Sequence, residues 1–259
     1  MDLGIEGRRA IVCAASRGLG RACALSLAQN GASLVINGRN RQVLEETAQA
    51  IRGETGAAVE AVAGDVSEPA VQAAMIEACP EADILVNNNG GPPNRDFREI
   101  DREAFLEGVV MNMATPVEMI GRVVDGMSAR GFGRIVNITS ISVKMPVPGL
   151  DLSSGARAGL TAFVAGIASG VADRNVTINN VLPGYFDTER LRSNIASGAE
   201  ATGTELAAFT ERHMASVPAK RFGDPAEFGE ACAFLCSAQA GYITGQNLVI
   251  DGGRCGSVW

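Results

Sequence analysis

The chain of 259 residues is 46% hydrophobic and only 5% aromatic, a composition that suits one α/β domain with an aliphatic core. Its formal net charge of −7 argues against a nucleic-acid-binding or anionic-membrane-binding surface. The six cysteines contain no Cys-x-x-Cys spacing, and the pair Cys232 and Cys236 has no further ligand nearby in the sequence. Small buried side chains are therefore favoured over a metal site.

No stretch of the sequence predicts insertion into a membrane. No apolar run approaches the ~18 residues of a membrane span. The residues from Met1 to Glu6 lack the basic and apolar regions of a signal peptide. We therefore expect a cytoplasmic protein with no membrane partner and no nucleic-acid partner.

Short apolar runs alternate with helical patterns along the chain. In order, strands are predicted at 9–15, 33–37, 59–63, 84–87, 134–139, 177–182 and 247–250, and helices at 19–29, 42–53, 69–78, 101–130 (as one helix or two), 152–173 and 225–237. Each strand is apolar throughout, which is typical of parallel strands covered on both faces. Repeated βα units imply right-handed crossovers, so we predict one α/β domain over 1–259, with a doubly wound parallel sheet of about seven strands. Residues 186–216 are polar and irregular and resemble a flexible insertion.

The turn after the first predicted strand is rich in small residues and reads Cys13-Ala14-Ala15-Ser16-Arg17-Gly18-Leu19-Gly20. Glycines in such a turn let backbone amides approach a pyrophosphate, which then lies at the positive end of the following helix. By itself the turn is also compatible with a tight structural turn.

Four later motifs accompany this turn: Gly64-Asp65-Val66, Asn87-Asn88-Asn89-Gly90, Pro183-Gly184 with Thr188 beyond it, and the ending from Tyr242 to Gly253. With them the chain resembles the short-chain dehydrogenase/reductase family along essentially its whole length. The family turn reads Thr-Gly-x-x-x-Gly-x-Gly, so Gly18 and Gly20 match whereas Cys13 and Ala14 depart from it. The resemblance implies a Rossmann-type fold and a nicotinamide cofactor, in a turn that Ala14 tightens by one methyl group.

The motif positions imply which residues contact the cofactor. They are Ala14, Ser16, Arg17, Gly18, Leu19, Gly20, Arg39, Asp65, Val66, Asn88, Asn89, Gly90, Arg157, Pro183, Gly184, Phe186 and Thr188. The residues from Asn37 to Asn40 include no acidic side chain that could bind a ribose 2′-hydroxyl. Arg17 and Arg39 could instead clamp a 2′-phosphate, which predicts NADP(H); the alternative is two ordinary solvated arginines.

The resemblance places the catalytic residues as well, and there this chain departs from the family. Family members use an asparagine, a serine and a tyrosine that is followed one helical turn later by a lysine. Asn112 and Ser140 match the first two, but the alignment puts Ser153 and Arg157 where tyrosine and lysine belong. Because no tyrosine precedes Tyr185, the missing phenol is a fact of composition.

The replacement changes the proton chemistry that the site can perform. Arg157 stays charged and can bind ribose hydroxyls, whereas the Ser153 hydroxyl is too short and too weakly acidic to replace a phenol. Positioned acid–base catalysis contributes about 10²–10⁴-fold, so its loss would slow hydride transfer without forbidding it. A substrate that needs little acid assistance, such as a quinone or an imine, would avoid the problem.

Other side chains could supply the proton. Tyr185 follows Gly184 directly, and His213, the single histidine, lies in the segment that closes over substrate in relatives. The alternatives are a packing role for Tyr185 and a solvated position for His213. Asp151 and Lys144 flank the expected cleft and are interpreted as surface charges.

Two functions from different classes are compatible with these residues. The first is an NADP(H)-dependent oxidoreductase similar to 3-oxoacyl-carrier-protein reductases, which would reduce a small-molecule carbonyl (a 3-oxoacyl thioester, a ketone or a quinone) with an atypical proton donor. The second is a non-catalytic NADP(H)-binding sensor, or a structural partner of an active homologue. The resemblance further implies a mobile substrate lid at about 186–216 and a homodimer or homotetramer formed through the helices at 101–130 and 152–173.

Overall fold

A computed structural model describes residues 2–92 and 95–257. The strands are β1 Arg9–Val12, β2 Ser33–Gly38, β3 Val59–Ala63, β4 Ile84–Asn87, β5 Gly133–Ile138, β6 Val176–Pro183 and β7 Asn247–Ile250. All pair in parallel, in one sheet of order β3-β2-β1-β4-β5-β6-β7. This order confirms the predicted doubly wound, Rossmann-type sheet.

Helices connect the strands and cover both faces of the sheet. They are α1 Gly18–Gln29, α2 Arg41–Thr55, α3 Pro69–Ala78, α4 Arg102–Val109, α5 Thr115–Arg130, α6 Asp151–Ile167, α7 Glu189–Ala201, α8 Leu206–Ala215 and α9 Pro225–Leu235. None of those in the described residues is long and apolar enough to cross a membrane.

Two hydrophobic clusters, one on each face of the sheet, explain why the central strands are apolar throughout. Successive side chains of a strand point to opposite faces. One cluster accordingly contains Val12, Val86 and Val136, with α1, α2 and α9, and the other contains Ile11, Leu85 and Ile135, with α3, α5 and α6. Since the central strands are covered on both sides, they place apolar side chains on both faces of the sheet.

A chain of asparagine side chains crosses four neighbouring strands, from the last residue of β4 to the first residue of β7. Asn87 donates to Asn137 at 2.9 Å, Asn137 donates to Asn180 at 3.0 Å, and Asn180 donates to Asn247 at 2.8 Å. Each donor–acceptor pair is also a backbone register pair of neighbouring strands. The first three side chains are buried. This asparagine ladder therefore satisfies polar groups inside the sheet and links the side chains of β4, β5, β6 and β7.

The prediction that 186–216 is irregular was wrong. The segment contains α7 and α8, whose first turns are capped by the Thr188 hydroxyl, accepting from Leu191 N, and by the Glu205 carboxylate, accepting from Ala208 N. Ile195 and Ala199, one turn apart, bury the inner face of α7. The polar composition of the segment reflects its outer faces, and capping residues rather than polarity determine its structure. Its mobility stays a prediction.

Two other predicted helices have different outcomes: the first agrees with the prediction of one helix or two, and the second ends early. The region 101–130 is one continuous helical run in which a π turn, Val110–Ala114, joins α4 to α5. The helix predicted at 152–173 ends at Ile167 and continues as two short 3₁₀ turns. A π turn inserts one residue into the helical repeat and rotates the helix beyond it, which the apolar periodicity alone does not reveal.

The asparagine ladder provides a test of stability. Asn137→Ala should lower the free energy of unfolding by about 2–4 kcal/mol, because a buried donor and a buried acceptor on its neighbours lose their partner. Asn247→Ala, at the partly exposed end of the ladder, should cost about 1 kcal/mol or less. Urea unfolding followed by circular dichroism measures both values. Equal losses in the two variants would contradict a ladder that depends on its buried centre.

Candidate active site

A cavity of about 720 Å³ opens along the carboxyl edge of the sheet. Its size lies within the range of roughly 300–1,000 Å³ that small-molecule and cofactor sites occupy. It is lined by nearly all of the residues predicted from sequence: Ala14, Ser16, Arg17, Gly18, Leu19, Arg39, Asp65, Val66, Asn88, Asn89, Gly90, Ser140, Ser153, Arg157, Pro183, Gly184, Tyr185, Phe186 and Thr188. Gly20 and Asn112 lie behind the wall, where each has a different role.

The turn between β1 and α1 is held in a strained but well-supported conformation. Ala14 has φ +45°, in the left-handed region where a side chain is unfavourable. Its carbonyl accepts a hydrogen bond from Asn88 Nδ2 at 3.1 Å. A Cβ atom on Gly20 would collide with that carbonyl and stand 2.8 Å from Asn88 Nδ2. Glycine at position 20 thus lets α1 begin directly against the turn, with its amino end facing the cavity.

Asn37 ties this turn to the next two strands. Its main-chain carbonyl accepts from Ala15 N at 2.7 Å, and its side chain donates to the carbonyls of Val62 and Gly64, both at 3.0 Å. Asp65, just beyond, accepts from the backbone and hydroxyl of Ser67. The ends of β1, β2 and β3 therefore form one rigid corner of the cavity.

Both arginines predicted to clamp a phosphate line the cavity. Arg17 forms an ion pair with Glu189, the first residue of α7. Arg39 is exposed and forms no ion pair within the described ranges. Because the Arg17–Glu189 pair is itself more than half exposed, it stabilises the protein little, and an anionic ligand could displace it.

The opposite end of the cavity carries the serines and Arg157. Ser140 ends the loop after β5 and accepts from Ser142 N at 3.1 Å. Ser153 and Arg157 lie one turn apart on the same face of α6, and Arg157 Nε donates to Ser153 Oγ at 3.1 Å. Arg157 Nη1 also donates to the Ile138 carbonyl at 2.8 Å. These bonds fix the guanidinium beside the Ser153 hydroxyl. The Ser140 and Ser153 oxygens both accept hydrogen bonds from the protein, and their protons remain available.

Burial changes the electrostatics of Arg157. Its side chain is 9% exposed, and desolvation, followed by the positive charge of Arg190, lowers its pKa from 12.5 to about 10. The guanidinium is nevertheless charged at neutral pH. Two of its five N–H groups are used by Ser153 and Ile138, which leaves three for a ligand.

Asn112 occupies the π turn between α4 and α5, behind the cavity wall. It is 2% exposed, and its Nδ2 donates weakly to the Gly108 carbonyl at 3.4 Å. Its Oδ1 has no hydrogen-bond partner among the described residues. A buried carbonyl oxygen without a hydrogen-bond partner destabilises the folded state, and a water molecule that donates to it would satisfy it.

The two candidate proton donors of the lid meet in one aromatic cluster. The Tyr185 ring lies 5.7 Å from His213, 6.2 Å from Phe222 and 3.9 Å beneath the guanidinium of Arg254. His213 Nδ1 lies 2.9 Å from the Phe209 carbonyl and donates to it. Tyr185 faces the cavity, whereas His213 is a neighbour of Tyr185 on the side away from it. Asp151 and Lys144 do not line the cavity.

Sequence reasoning missed Arg190 and Gly91. The Arg190 guanidinium packs against Gly91, where a Cβ atom would stand 2.9 Å from Nη2. Both residues line the cavity. Arg190 was missed because the polar composition of its segment indicated an irregular structure; the Thr188 cap, which sets the phase of α7, was the available signal.

The cavity fits a dinucleotide and offers no site for a metal ion. Its Gly-rich turn and helix end suit a pyrophosphate, and the free N–H groups of Arg157 suit ribose hydroxyls. The described residues contain no group of three or more histidine, cysteine or acidic side chains arranged to hold a metal. Cys232 and Cys236 are instead buried beside Cys23 in the core between α1 and α9.

Comparison with known proteins agrees with this geometry. A family model described as Enoyl-(Acyl carrier protein) reductase matches residues 13–254. The chain is 33% identical over 255 residues to the 3-oxoacyl-(acyl-carrier-protein) reductase FabG of Vibrio cholerae, covering 97% of this chain and 98% of that one. It is 31% identical over 256 residues to the NADPH-dependent reductase BacG of Bacillus subtilis, covering 97% and 99%.

A solved structure extends the likeness to the whole fold. The crystal structure of L-sorbose reductase from Gluconobacter frateurii, complexed with NADPH and L-sorbose, matches with a TM-score of 0.94 and 30% identity, covering 100% of both chains. The family model, the relatives and the seven-stranded sheet all identify the same family as the ordered motifs. The chain belongs to the short-chain dehydrogenase/reductase family.

Proposed function

We propose that this protein is an NADP(H)-dependent oxidoreductase that reduces a carbonyl group by hydride transfer, using a proton donor other than the tyrosine typical of its family. The observation that carries the proposal is the single cavity that joins the Ala14–Gly20 turn to Ser140, Ser153 and Arg157. One end suits a dinucleotide, and the other presents the Ser140 and Ser153 hydroxyls together with the buried cation of Arg157.

The choice of NADP(H) is supported from two directions. BacG is an NADPH-dependent reductase, and the L-sorbose reductase crystal contains NADPH. In this chain Arg17 and Arg39 flank the end of β2, where no acidic side chain is present to prefer a ribose hydroxyl. Arg157, Asn88 and Thr188 would contact the remainder of the cofactor.

The residues of this chain would act on the carbonyl oxygen. NADPH, when bound, supplies the hydride. Negative charge grows on the substrate oxygen as the hydride arrives, and the Ser140 and Ser153 hydroxyls can donate hydrogen bonds to it. Arg157, through its bond to Ser153 Oγ, polarises that hydroxyl and favours an oxyanion beside it.

The proton that completes the alcohol has two possible sources in this cavity. Tyr185 lies on the cavity wall with Arg254 over its ring. A water molecule at Asn112 would lie behind α6, where family members place their proton relay. We favour Tyr185, because it lines the cavity and a phenol is a stronger acid than water.

A non-catalytic NADP(H)-binding protein, either a sensor or a structural partner of an active homologue, is the second candidate. One observation favours it: Ser153 and Arg157 are hydrogen-bonded to each other, so the pair is complete without a substrate. Turnover by the wild-type protein separates this candidate from the first.

Assembly as a homodimer or homotetramer belongs to the same proposal. Large apolar side chains are exposed along the helices predicted to form the contacts: Phe105 and Leu106 on α4, Val110 on the π turn and Phe163 on α6. Exposed apolar residues grouped on adjacent helices are typical of an oligomer interface.

Gly20→Ala tests the cofactor end of the cavity. The new methyl group would push α1 away from Ala14, so we expect at least a tenfold loss of NADPH affinity, about 1.4 kcal/mol. Gly53→Ala, on α2 with open space around its Cβ position, is the control and should leave the affinity unchanged. NADPH fluorescence titration measures both, and unaltered binding by Gly20→Ala would place the cofactor elsewhere.

Activity is tested with NADPH and a panel of acyl thioesters, ketones, imines and quinones. Wild type should consume NADPH with at least one of them. The double variant Ser153→Tyr/Arg157→Lys, which restores the family pair, should be faster by up to about 10²-fold on substrates that need an acid. NADPH binding together with turnover only by the double variant would instead support the non-catalytic candidate.

Tyr185→Phe tests the proton donor. If Tyr185 donates the proton, kcat should fall by about 10²-fold with little change in KM. Tyr242→Phe removes the same hydroxyl from a fully exposed ring and should have no effect. Steady-state kinetics on the best substrate of the panel distinguishes the two, and equal kcat values for both variants would exclude Tyr185.

A further inference from the structure

Arg190 and Arg157 are two arginine side chains that line one cavity from two different helices. Arg157 rises from α6, and Arg190 extends from the first turn of α7 across to Gly91. Their charges interact, since the positive charge of Arg190 contributes to the lowered pKa of Arg157. Arg190 is exposed to solvent, yet desolvation by the surrounding protein lowers its own pKa as well.

Neither guanidinium has a carboxylate partner within residues 2–92 and 95–257. The neighbouring arginines do: Arg17 is paired with Glu189, and Arg192 with Asp187 through two hydrogen bonds of 2.7 and 2.8 Å. Arg190 donates no hydrogen bond to any described residue, although in the sequence it lies between Glu189 and Arg192, which both form ion pairs. Acidic residues are therefore available on α7, and none of them neutralises the two cavity arginines.

Two like charges in a partly dry cavity repel each other and lose hydration. Desolvation is the main cause of the lowered pKa of Arg157, with the charge of Arg190 second, and desolvation alone lowers the pKa of Arg190. An anion bound between them would reverse both effects, because it supplies the missing opposite charge and accepts hydrogen bonds from the free N–H groups. A carboxylate suits this position, since a guanidinium can donate two parallel hydrogen bonds to it.

We propose that Arg157 and Arg190 bind the carboxylate of the substrate, so that the carbonyl compound is an oxo acid. The inference rests on the proposed function, whose substrate class it names. The direction of the side chains separates this subsite from the cofactor phosphates: Glu189 extends toward Arg17 at the turn, whereas Arg190 extends toward Gly91 and the field of Arg157. Ser140 and Ser153 line the same part of the cavity and would meet the carbonyl of such an acid.

The test compares 3-hydroxybutyrate with its methyl ester by calorimetry on protein saturated with NADPH. Ligand and cofactor are then both reduced, so binding is measured without turnover. The acid should bind at least about tenfold more tightly than the ester, a difference of about 1.4 kcal/mol. Arg190→Met should remove that preference while leaving NADPH affinity unchanged.

Arg192→Met is the matched control, because it removes the same charge from the same helix, at a side chain that does not line the cavity. It should keep the preference for the acid. Three results would overturn the proposal: equal binding of acid and ester, loss of the preference in both variants, or no binding of the acid up to about 50 mM. So would an Arg190→Met variant that loses NADPH affinity and retains the preference, since Arg190 would then serve a cofactor phosphate.

Failure of the proposed function gives a different result. An acid preference that depends on Arg190, in a protein that reduces no carbonyl in the panel, would keep the anion subsite and reject the oxidoreductase. Repeating the calorimetry without NADPH shows whether the subsite exists independently of the cofactor. Turnover of neutral ketones with no preference for acids would keep the oxidoreductase and reject the subsite.

Discussion

The asparagine ladder across β4, β5, β6 and β7 is the constraint on which the site depends. Amide side chains buried in a sheet must all find partners, and here each amide bonds to the next at the same register position. Asn37 performs a related task at the ends of β1, β2 and β3. The loops that leave these strands therefore start from fixed points. The dinucleotide turn and the loop of Ser140 are two of these loops. Their fixed starting points hold the side chains at the edge of the sheet in a defined arrangement.

The end of the cavity that holds Ser153 and Arg157 contains a hydrogen-bonded network centred on a buried cation. A phenol beside a lysine can give up a proton, whereas a serine bonded to a buried arginine can only stabilise charge on a neighbouring oxygen. Burial strengthens that effect, since little water remains to screen the guanidinium. It also makes the cavity attractive to anions. An arginine at position 157 is thus compatible with a substrate that carries a negative charge.

The sequence predicted much of the site because motif residues keep a fixed position relative to the strand before them. Ala14, Asn88, Ser140 and Pro183 each lie at or just beyond the end of a strand, and parallel strands end at one edge of the sheet. The lid was different. Its polar composition concealed α7 and α8, whose existence depends on the Thr188 and Glu205 caps and on packing between the two helices. Without the phase of α7, nothing indicated that Arg190 and not Arg192 faces the cavity.

The sequence by itself determined the fold class, the turn that suits a dinucleotide and the absence of a phenol between Met1 and Gly184. These depend on local patterns and on composition, neither of which needs distant contacts. Only the tertiary structure decided the state of Arg157, because its desolvation, its bond to the Ile138 carbonyl and the nearby charge of Arg190 arise from elements far apart in the chain. The tertiary structure alone also decided that Tyr185 reaches the cavity while His213 packs behind it. The pKa, the burial and the direction of a side chain depend on the residues that pack around it in the fold. The sequence lists those residues but does not show which of them are in contact.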